Sequence, residues 1–302
     1  RRQRQMCIRD RQTTPIRTVT VTNPKLQPLI ASIAMLEFLK YDFFQNALLS
    51  TVLIGISCGL VGTYIVAKRM VFISGGITHA SFGGLGFAYF IGISPLLGAA
   101  VFSIATAIGI LFLAENKKIR EDSLIGIFWS AGMAIGVLFI YLTPGYAPNL
   151  MSYLFGNILT VTWGQILLSV LLCLVIIVFF VLFYRPLFYI AFDKEYSRTH
   201  NVHVNRIDVA IMLIIALCII LCMKLAGIIL VISYLTLPQA IAGTYYKNFK
   251  QQLIASSIIS AIGSVIGLFV SAALNTPSGA TIVVCFLLFF LLAWLGKKIW
   301  KS

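Results

Sequence analysis

Long apolar runs separated by short polar loops recur from residue 46 to the end of the chain. A helix that crosses the hydrocarbon core of a membrane needs about 20 predominantly apolar residues. By this measure the pattern predicts spans at roughly 46–67, 70–92, 95–114, 123–142, 163–184, 253–274 and 278–295. The stretch 207–242 is interrupted by Lys224 and is predicted to form two short spans that turn at Met223 and Lys224. That makes nine spans, and an eight-span arrangement with 207–242 organised differently remains open.

The composition supports this pattern. Hydrophobic residues make up 60% of the chain, charged residues only 11%, and the mean hydropathy is +0.97. A soluble domain would carry about a quarter charged residues. The alternating strands of an outer-membrane barrel are absent from the sequence. We therefore predict an all-α protein, a polytopic transmembrane helical bundle formed as one domain by residues 35–302.

Basic residues concentrate in the loops between the predicted spans. They lie at Lys68 and Arg69, in 115–122, in 185–206, at Lys247 and Lys250, and in the C-terminal tail. With nine spans all of these fall on one side, which the positive-inside rule assigns to the cytoplasm. The net charge of +14 therefore reflects membrane topology and does not imply a nucleic-acid partner.

The first 34 residues differ from the rest of the chain. They carry seven basic residues and one acid, Asp10, without apolar periodicity, and they lack the hydrophobic region of a signal peptide. We interpret 1–34 as a non-native or disordered extension and expect the native chain to begin at Met35. A basic, lipid-binding arm is the alternative.

Several further patterns bear on packing. Small-residue pairs at Gly55/Gly59, Gly132/Gly136 and Gly263/Gly267 predict close helix–helix approach. The segment 143–162 is too rich in Pro, Gly and Asn to span and is predicted to be re-entrant or superficial. The six cysteines lie mostly in apolar runs without metal-finger spacing, so buried free thiols are expected.

Missing motifs exclude several functions. The sequence contains no phosphate-binding loop of the G-x-x-x-x-G-K-[ST] type and no H-E-x-x-H, so neither ATP binding of the usual kind nor zinc protease chemistry is indicated. The interiors of the predicted spans lack Asp and Glu. Proton- or sodium-coupled transporters usually rely on such buried acids, which argues against self-powered secondary transport.

His79 is the one histidine in an apolar segment, and an ionisable side chain within a span indicates a functional site. It lies nine residues past Met70, about 13 Å along a helix and thus near the middle of the bilayer. Its helical face also carries Gly75, Gly76, Gly83 and Gly86. Two interpretations stay open: a packing histidine that bonds a neighbouring carbonyl, or a ligand for zinc or its first-row neighbours. His200 and His203 lie in a polar loop and lack cysteine or acidic partners.

Six stretches, taken together and in order, resemble one protein family. They are AKRMVFISGGITHASFGG (67–84), EDSLIGIFWSAGMAIG (121–136), LMSYLFGNIL (150–159), AFDKEYSR (191–198), AGIILVISYLTLPQAIA (226–242) and NTPSGATIVV (275–284). They are similar to the membrane subunits of bacterial ABC importers for zinc, manganese or iron, the ZnuB- and MntB-like permeases. The resemblance covers about 43–294.

The resemblance implies a permease dimer that works with two cytoplasmic ATPase subunits, which bind the ATP, and an extracytoplasmic metal-binding protein. It implies that the loop 185–206 couples to the ATPase. The contact residues carried over to this loop are Phe192, Asp193, Glu195 and Tyr196. It also implies that His79 is the metal-binding residue. The translocation pathway would be lined by Gly75, Thr78, His79, Ser81 and Gly83.

Three positions depart from the family pattern. An aspartate often precedes the histidine by four residues, but here that position is Gly75. Two further acidic positions are Asn157 and Asn275. Three acids that could attract a cation are therefore neutral, so either the metal passes with fewer protein ligands or the cargo differs.

The sequence thus predicts a permease subunit of an ATP-driven importer for divalent metal ions in the bacterial cytoplasmic membrane. Zinc is the first choice, with manganese or iron as alternatives. The chain itself would be neither an ATPase nor the carrier of a bound cofactor. A homodimer surrounded by membrane lipid is expected. The alternatives are a secondary transporter or channel that works without an ATPase, and an ABC permease for a metal chelate.

Overall fold

The fold was analysed in a computed structural model, which describes residues 40–115, 119–144, 156, 158–199 and 204–301. These residues form twelve α-helices and two short 3₁₀ helices, with no strand among them, which confirms the all-α prediction. The α-helices are α1 Asp42–Ala67, α2 Val71–Phe90, α3 Pro95–Glu115, α4 Glu121–Leu142, α5 Trp163–Leu182, α6 Tyr184–Phe192, α7 Lys194–Thr199, α8 Val204–Ala226, α9 Val231–Tyr234, α10 Leu237–Tyr245, α11 Phe249–Leu274 and α12 Ser278–Lys301. The 3₁₀ helices are Ile158–Thr160 and Ile228–Leu230. The predicted extension 1–34 and most of the segment 143–162 lie outside the described residues.

The described part of the chain contains seven helices that are long and apolar enough to cross a membrane. The prediction of eight or nine spans was therefore slightly too high. Helix α2 is not among the seven, because its five glycines, His79 and three hydroxyl side chains reduce its hydropathy. The chain is nevertheless a multi-pass membrane protein.

The stretch 207–242 departs from the prediction of two short spans. Helix α8 continues through Met223 and Lys224 to Ala226 and is one long helix. The chain breaks at Gly227, whose φ of 91° is a conformation that side-chain-bearing residues rarely adopt. Short helical segments follow, and Pro238 lies in the first turn of α10, where a missing N–H does no harm. The break is thus set by backbone geometry at Gly227 and not by the charge of Lys224.

Small residues set the helix contacts, as the sequence predicted. A Cβ atom added at Gly55 would lie 2.7 Å from the Cα atom of Ala261, and one at Gly59 would lie 2.3 Å from that of Ser257. Helices α1 and α11 therefore touch backbone to backbone and run antiparallel. The hydroxyl groups of Thr63 and Ser256 join across the same contact at 2.5 Å. Gly263 and Gly267 bring α11 equally close to α12, at Phe286 and Ile282.

The turn between α1 and α2 is as tight as the sequence predicted. The backbone N–H of Met70 donates to the carbonyl of Ile65, and Arg69 takes a left-handed φ of 59°. Charged elements meet at this end of the bundle, because Lys68 and Lys194 both pair with Asp208. The start of α11 lies there too, with Phe249 against Phe188 of α6. The structure thus brings together several of the basic loops that the sequence assigned to one side.

The faces of the bundle are strongly apolar. Helix α5 exposes Leu167, Leu171 and Val181, whereas α1 and α8 are mostly buried. The five described cysteines are free and buried, which confirms the expectation for those residues. Hence α1 and α8 form the interior, and α5 and α12 lie at the periphery.

Candidate translocation site

Helix α2 packs closely on α4 along its glycine-rich face. A Cβ atom added at Gly83 would lie 2.8 Å from the carbonyl oxygen of Gly132, and one at Gly86 would lie 2.4 Å from that of Gly136. Both contacts advance in the same direction, so α2 and α4 run parallel. The glycines around His79 therefore serve mainly to bring the two helix backbones together.

Trp129 of α4 covers the imidazole ring of His79. The two rings stack with centroids 4.2 Å apart and an interplanar angle of 11°. His79 is half-buried, and its Nδ1 atom is buried without a hydrogen-bond partner among the described residues. A buried acceptor or donor without a partner is unfavourable, and such groups often mark a site that takes a ligand. The carbonyl partner expected for a purely packing histidine is thus not found at Nδ1 in the described chain.

Gly75 lies one helical turn before His79 and contacts the same indole. A Cβ atom at residue 75 would lie 2.8 Å from the Trp129 ring and 3.0 Å from the side chain of Ile232. Trp129 therefore fills the space that any side chain at residue 75 would need. The neutral residue at this position and the aromatic neighbour are two parts of one arrangement.

Thr78 and Ser81 are fully buried, and their hydroxyl groups are engaged within the bundle. The Thr78 hydroxyl donates to the carbonyl of Ser74 at 2.5 Å. The Ser81 hydroxyl donates to the carbonyl of Thr78 at 2.5 Å and approaches the Met223 sulfur of α8 at 3.1 Å. The structure thus brings His79 and Gly75 together under Trp129, while Thr78 and Ser81 bond elsewhere.

Metal ligation around His79 would involve few protein groups. Within the described ranges no three His, Cys, Asp or Glu side chains cluster closely enough to hold a metal ion. Asn275 is exposed at the end of α11 with a left-handed φ of 51°. Asn157, His200 and His203 fall outside the described residues. The described part of the site offers one imidazole and the face of one indole.

The four predicted coupling residues lie together on the surface where α6 meets α7. Phe192, Asp193, Glu195 and Tyr196 are all exposed. Asp193 is the N-cap of α7, because its carboxylate accepts a hydrogen bond from the backbone N–H of Tyr196 at 2.9 Å. Phe192 packs on Phe188 with ring centroids 5.0 Å apart, and Tyr196 lies 5.9 Å from Tyr189. The capped turn therefore holds two aromatic rings and two acids outward in a fixed arrangement.

Three features of the site were missed from the sequence. Trp129 belongs to α4 and Met223 to α8, so no spacing within α2 could indicate that they face His79 and Ser81. Asp208 was predicted only as an acid near a helix start, whereas the structure pairs it with Lys68 and Lys194. The available signal was that Asp208 is an acid in the first turns of a long apolar helix.

The comparisons with known proteins agree with this architecture. Residues 40–297 match the ABC 3 transport family. The chain belongs to this family. It is 41% identical over 251 residues to an uncharacterised membrane protein of Synechocystis, a match that covers 83% of this chain and 89% of that protein. It is 31% identical over 258 residues to the manganese transport system membrane protein MntC of Halalkalibacterium halodurans, with 85% and 88% covered.

A solved structure shows the same fold. PsaBC from Streptococcus pneumoniae in complex with Fab superimposes with a TM-score of 0.78 and 29% identity, and the match covers 87% of this chain and 95% of that chain. The resemblance seen in the sequence is confirmed. The ABC 3 member described here is a membrane permease whose role is transport rather than catalysis.

Proposed function

We propose that this permease imports a divalent metal ion and that a separate ATPase subunit drives it. Membership of the ABC 3 family carries this proposal, together with relatives named for manganese transport. The full assembly would contain two permease copies as a homodimer in membrane lipid, cytoplasmic ATPase subunits that bind the ATP, and an extracytoplasmic metal-binding protein. Residues 35–302 would form the permease as one domain in the bacterial cytoplasmic membrane.

The pathway passes His79 in this proposal. The imidazole is half-buried, and its Nδ1 atom has no protein partner among the described residues, so it is available to a passing ion. Stacking on Trp129 holds the ring in one orientation. A single imidazole binds a metal weakly compared with a closed tetrahedral site. Weak and transient binding suits a transport pathway, because the ion must also leave. Gly75, Thr78, Ser81 and Gly83 belong to the same segment of the pathway.

The push from the ATPase arrives at the junction of α6 and α7. Exposed aromatic residues on a fixed turn are typical anchors of a protein interface. Phe192 and Tyr196 supply the rings, and Asp193 and Glu195 supply charge around them. The remainder of the loop 185–206 would frame this contact.

The metal is assigned here only as a class. Imidazole suits zinc, iron and copper, whereas manganese prefers carboxylate oxygens. The described residues near His79 offer an imidazole without a nearby acid cluster, which favours zinc or iron. The relatives named above include a manganese permease, which favours manganese. A competition assay with the three ions decides between these two lines of support.

Co-purification tests the proposal at the level of the assembly. The permease is expressed with a phosphate-loop ATPase encoded beside it, purified through a tag on the permease, and assayed for ATP hydrolysis stimulated by the metal-loaded binding protein. We expect a stable complex with stimulated hydrolysis. Metal uptake into vesicles by the permease alone, without ATP, would instead favour a secondary transporter or channel. Stimulation only by a metal chelate would favour the chelate alternative.

A further inference from the structure

A buried carboxylate joins the proposed coupling segment to the two helices that carry His79 and Trp129. The side chain of Asp208, near the start of α8, is only 1% exposed. Its Oδ1 atom accepts a hydrogen bond from Nζ of Lys68 at 3.0 Å. Its Oδ2 atom lies 2.7 Å from Nζ of Lys194 in an ion pair. One carboxylate is thus shared by two lysines from two different elements.

A second acid completes the cluster. Glu121, at the start of α4, lies within electrostatic range of Lys68, Lys194 and Asp208. The four side chains carry two positive and two negative charges, so the cluster is neutral in its interior. Asp122, the other acid near Glu121, is exposed. A buried charge that loses its partner is strongly unfavourable, so these elements are held together whenever the pairs are intact.

Each member of the cluster is attached to a functional part of the chain. Lys194 lies within the coupling segment, between Asp193 and Glu195. Lys68 ends α1 and is followed directly by the tight turn into α2, the helix of His79. Glu121 begins α4, the helix of Trp129, and Asp208 itself lies on α8, whose Met223 touches Ser81. The cluster therefore connects the segment proposed to contact the ATPase with the elements that surround the proposed pathway.

We propose that Asp208 is a positioning residue that transmits movement of the coupling segment to α2. The inference rests on the proposed function, since it needs an ATPase that moves residues 192–196. When the coupling segment shifts, Lys194 pulls on or releases Asp208. The second pair with Lys68 then carries the change to the α1–α2 turn. Rigid helices convey such a displacement because their packed interfaces have discrete arrangements.

The test compares two variants at Asp208 in the purified permease–ATPase complex. Asp208→Asn keeps the shape of the side chain and removes its charge, whereas Asp208→Glu keeps the charge. Basal ATP hydrolysis, hydrolysis stimulated by the metal-loaded binding protein, and metal uptake into proteoliposomes are measured for each. We expect Asp208→Asn to keep the complex and its basal hydrolysis but to lower the ions imported per ATP by about tenfold. Asp208→Glu should restore most of that ratio.

A lysine pair provides a second, gentler test. The side chain of Lys194 is 31% exposed, so Lys194→Gln is expected to fold, and it should lower the transport-to-hydrolysis ratio in the same direction. Lys247→Gln is the matched control, because Lys247 is an exposed lysine in the loop before α11 and is not part of the cluster. It should leave the ratio unchanged.

The outcomes separate this inference from the proposed function. If the wild-type complex imports metal with ATP but Asp208→Asn and Lys194→Gln keep its ratio of ions to ATP, the positioning role is wrong. Loss of assembly in both Asp208 variants, with normal coupling in Lys194→Gln, would show a purely structural role and would also overturn it. If the wild-type chain neither binds an ATPase nor imports metal, the proposed function fails first.

Discussion

The indole of Trp129 stacks on the imidazole of His79 with ring centroids 4.2 Å apart, and the same indole occupies the space above Gly75. One aromatic residue therefore both orients the candidate ligand and excludes a side chain one helical turn earlier. This relationship connects the helix of His79 to its parallel neighbour at the candidate site. It also explains why the site is poor in acids on this side of the imidazole.

Removing the indole should impair transport. Trp129→Ala deletes the ring that holds His79 and opens a cavity next to Gly75, so we expect metal uptake to fall about tenfold, in line with the roughly 1 kcal/mol that an aromatic pair contributes beyond its buried area. Uptake is measured in proteoliposomes over a range of metal concentrations. Trp129→Phe, which keeps an aromatic face, is the control and should retain most of the activity. Equal losses in the two variants would contradict an orienting role for the ring.

Glycines on one helix should differ sharply in their tolerance of a methyl group. In Gly132→Ala the new Cβ atom would lie 2.3 Å from the Cα atom of Ala80, whereas nothing lies within 4 Å of the position at Gly126. We expect Gly132→Ala to destabilise the protein by about 1–3 kcal/mol through overpacking between α4 and α2. Gly126→Ala should be neutral or stabilising by up to about 1 kcal/mol, since alanine favours the helix. Thermal unfolding of both variants in detergent measures the difference.

The aromatic residues of the coupling segment should determine binding of the ATPase. Exposed aromatic anchors of an interface typically contribute about 2 kcal/mol each, so Phe192→Ala or Tyr196→Ala should weaken the permease–ATPase complex at least about tenfold. Binding is measured with the purified subunits. Tyr246→Ala, at an exposed tyrosine outside the α6–α7 junction, is the matched control and should leave the affinity unchanged. Normal affinity in all three variants would place the ATPase contact elsewhere.

The sequence predicted the helical class, the tight turn after Lys68 and the close glycine contacts, because these depend on local composition and spacing. It misplaced the break in 207–242, since a lysine near the end of a span resembles a loop residue until its helix is seen to continue to Ala226. Gly227 was the better signal, but a glycine indicates a break only where its φ is positive.

The candidate site was predictable only in part. His79 stands out because a histidine is rare in an apolar segment. Its partner Trp129 lies 50 residues further along the chain on another helix, and no periodicity links the two. The same holds for Asp208 and its lysines, where 140 residues separate Asp208 from Lys68. Contacts of this kind depend on tertiary packing, which a single sequence does not encode in its spacing.

Metal uptake by His79 variants tests the central claim most directly. His79→Phe keeps a ring for Trp129 to stack on but cannot bind a metal, and His79→Ala removes both functions. Both variants are reconstituted with the ATPase, and ATP-driven uptake of zinc, manganese and iron is measured after equal assembly has been verified. We predict that both variants assemble normally and lose metal uptake. Uptake at the wild-type rate by His79→Phe would contradict the assignment of His79 as the metal-binding residue of the pathway.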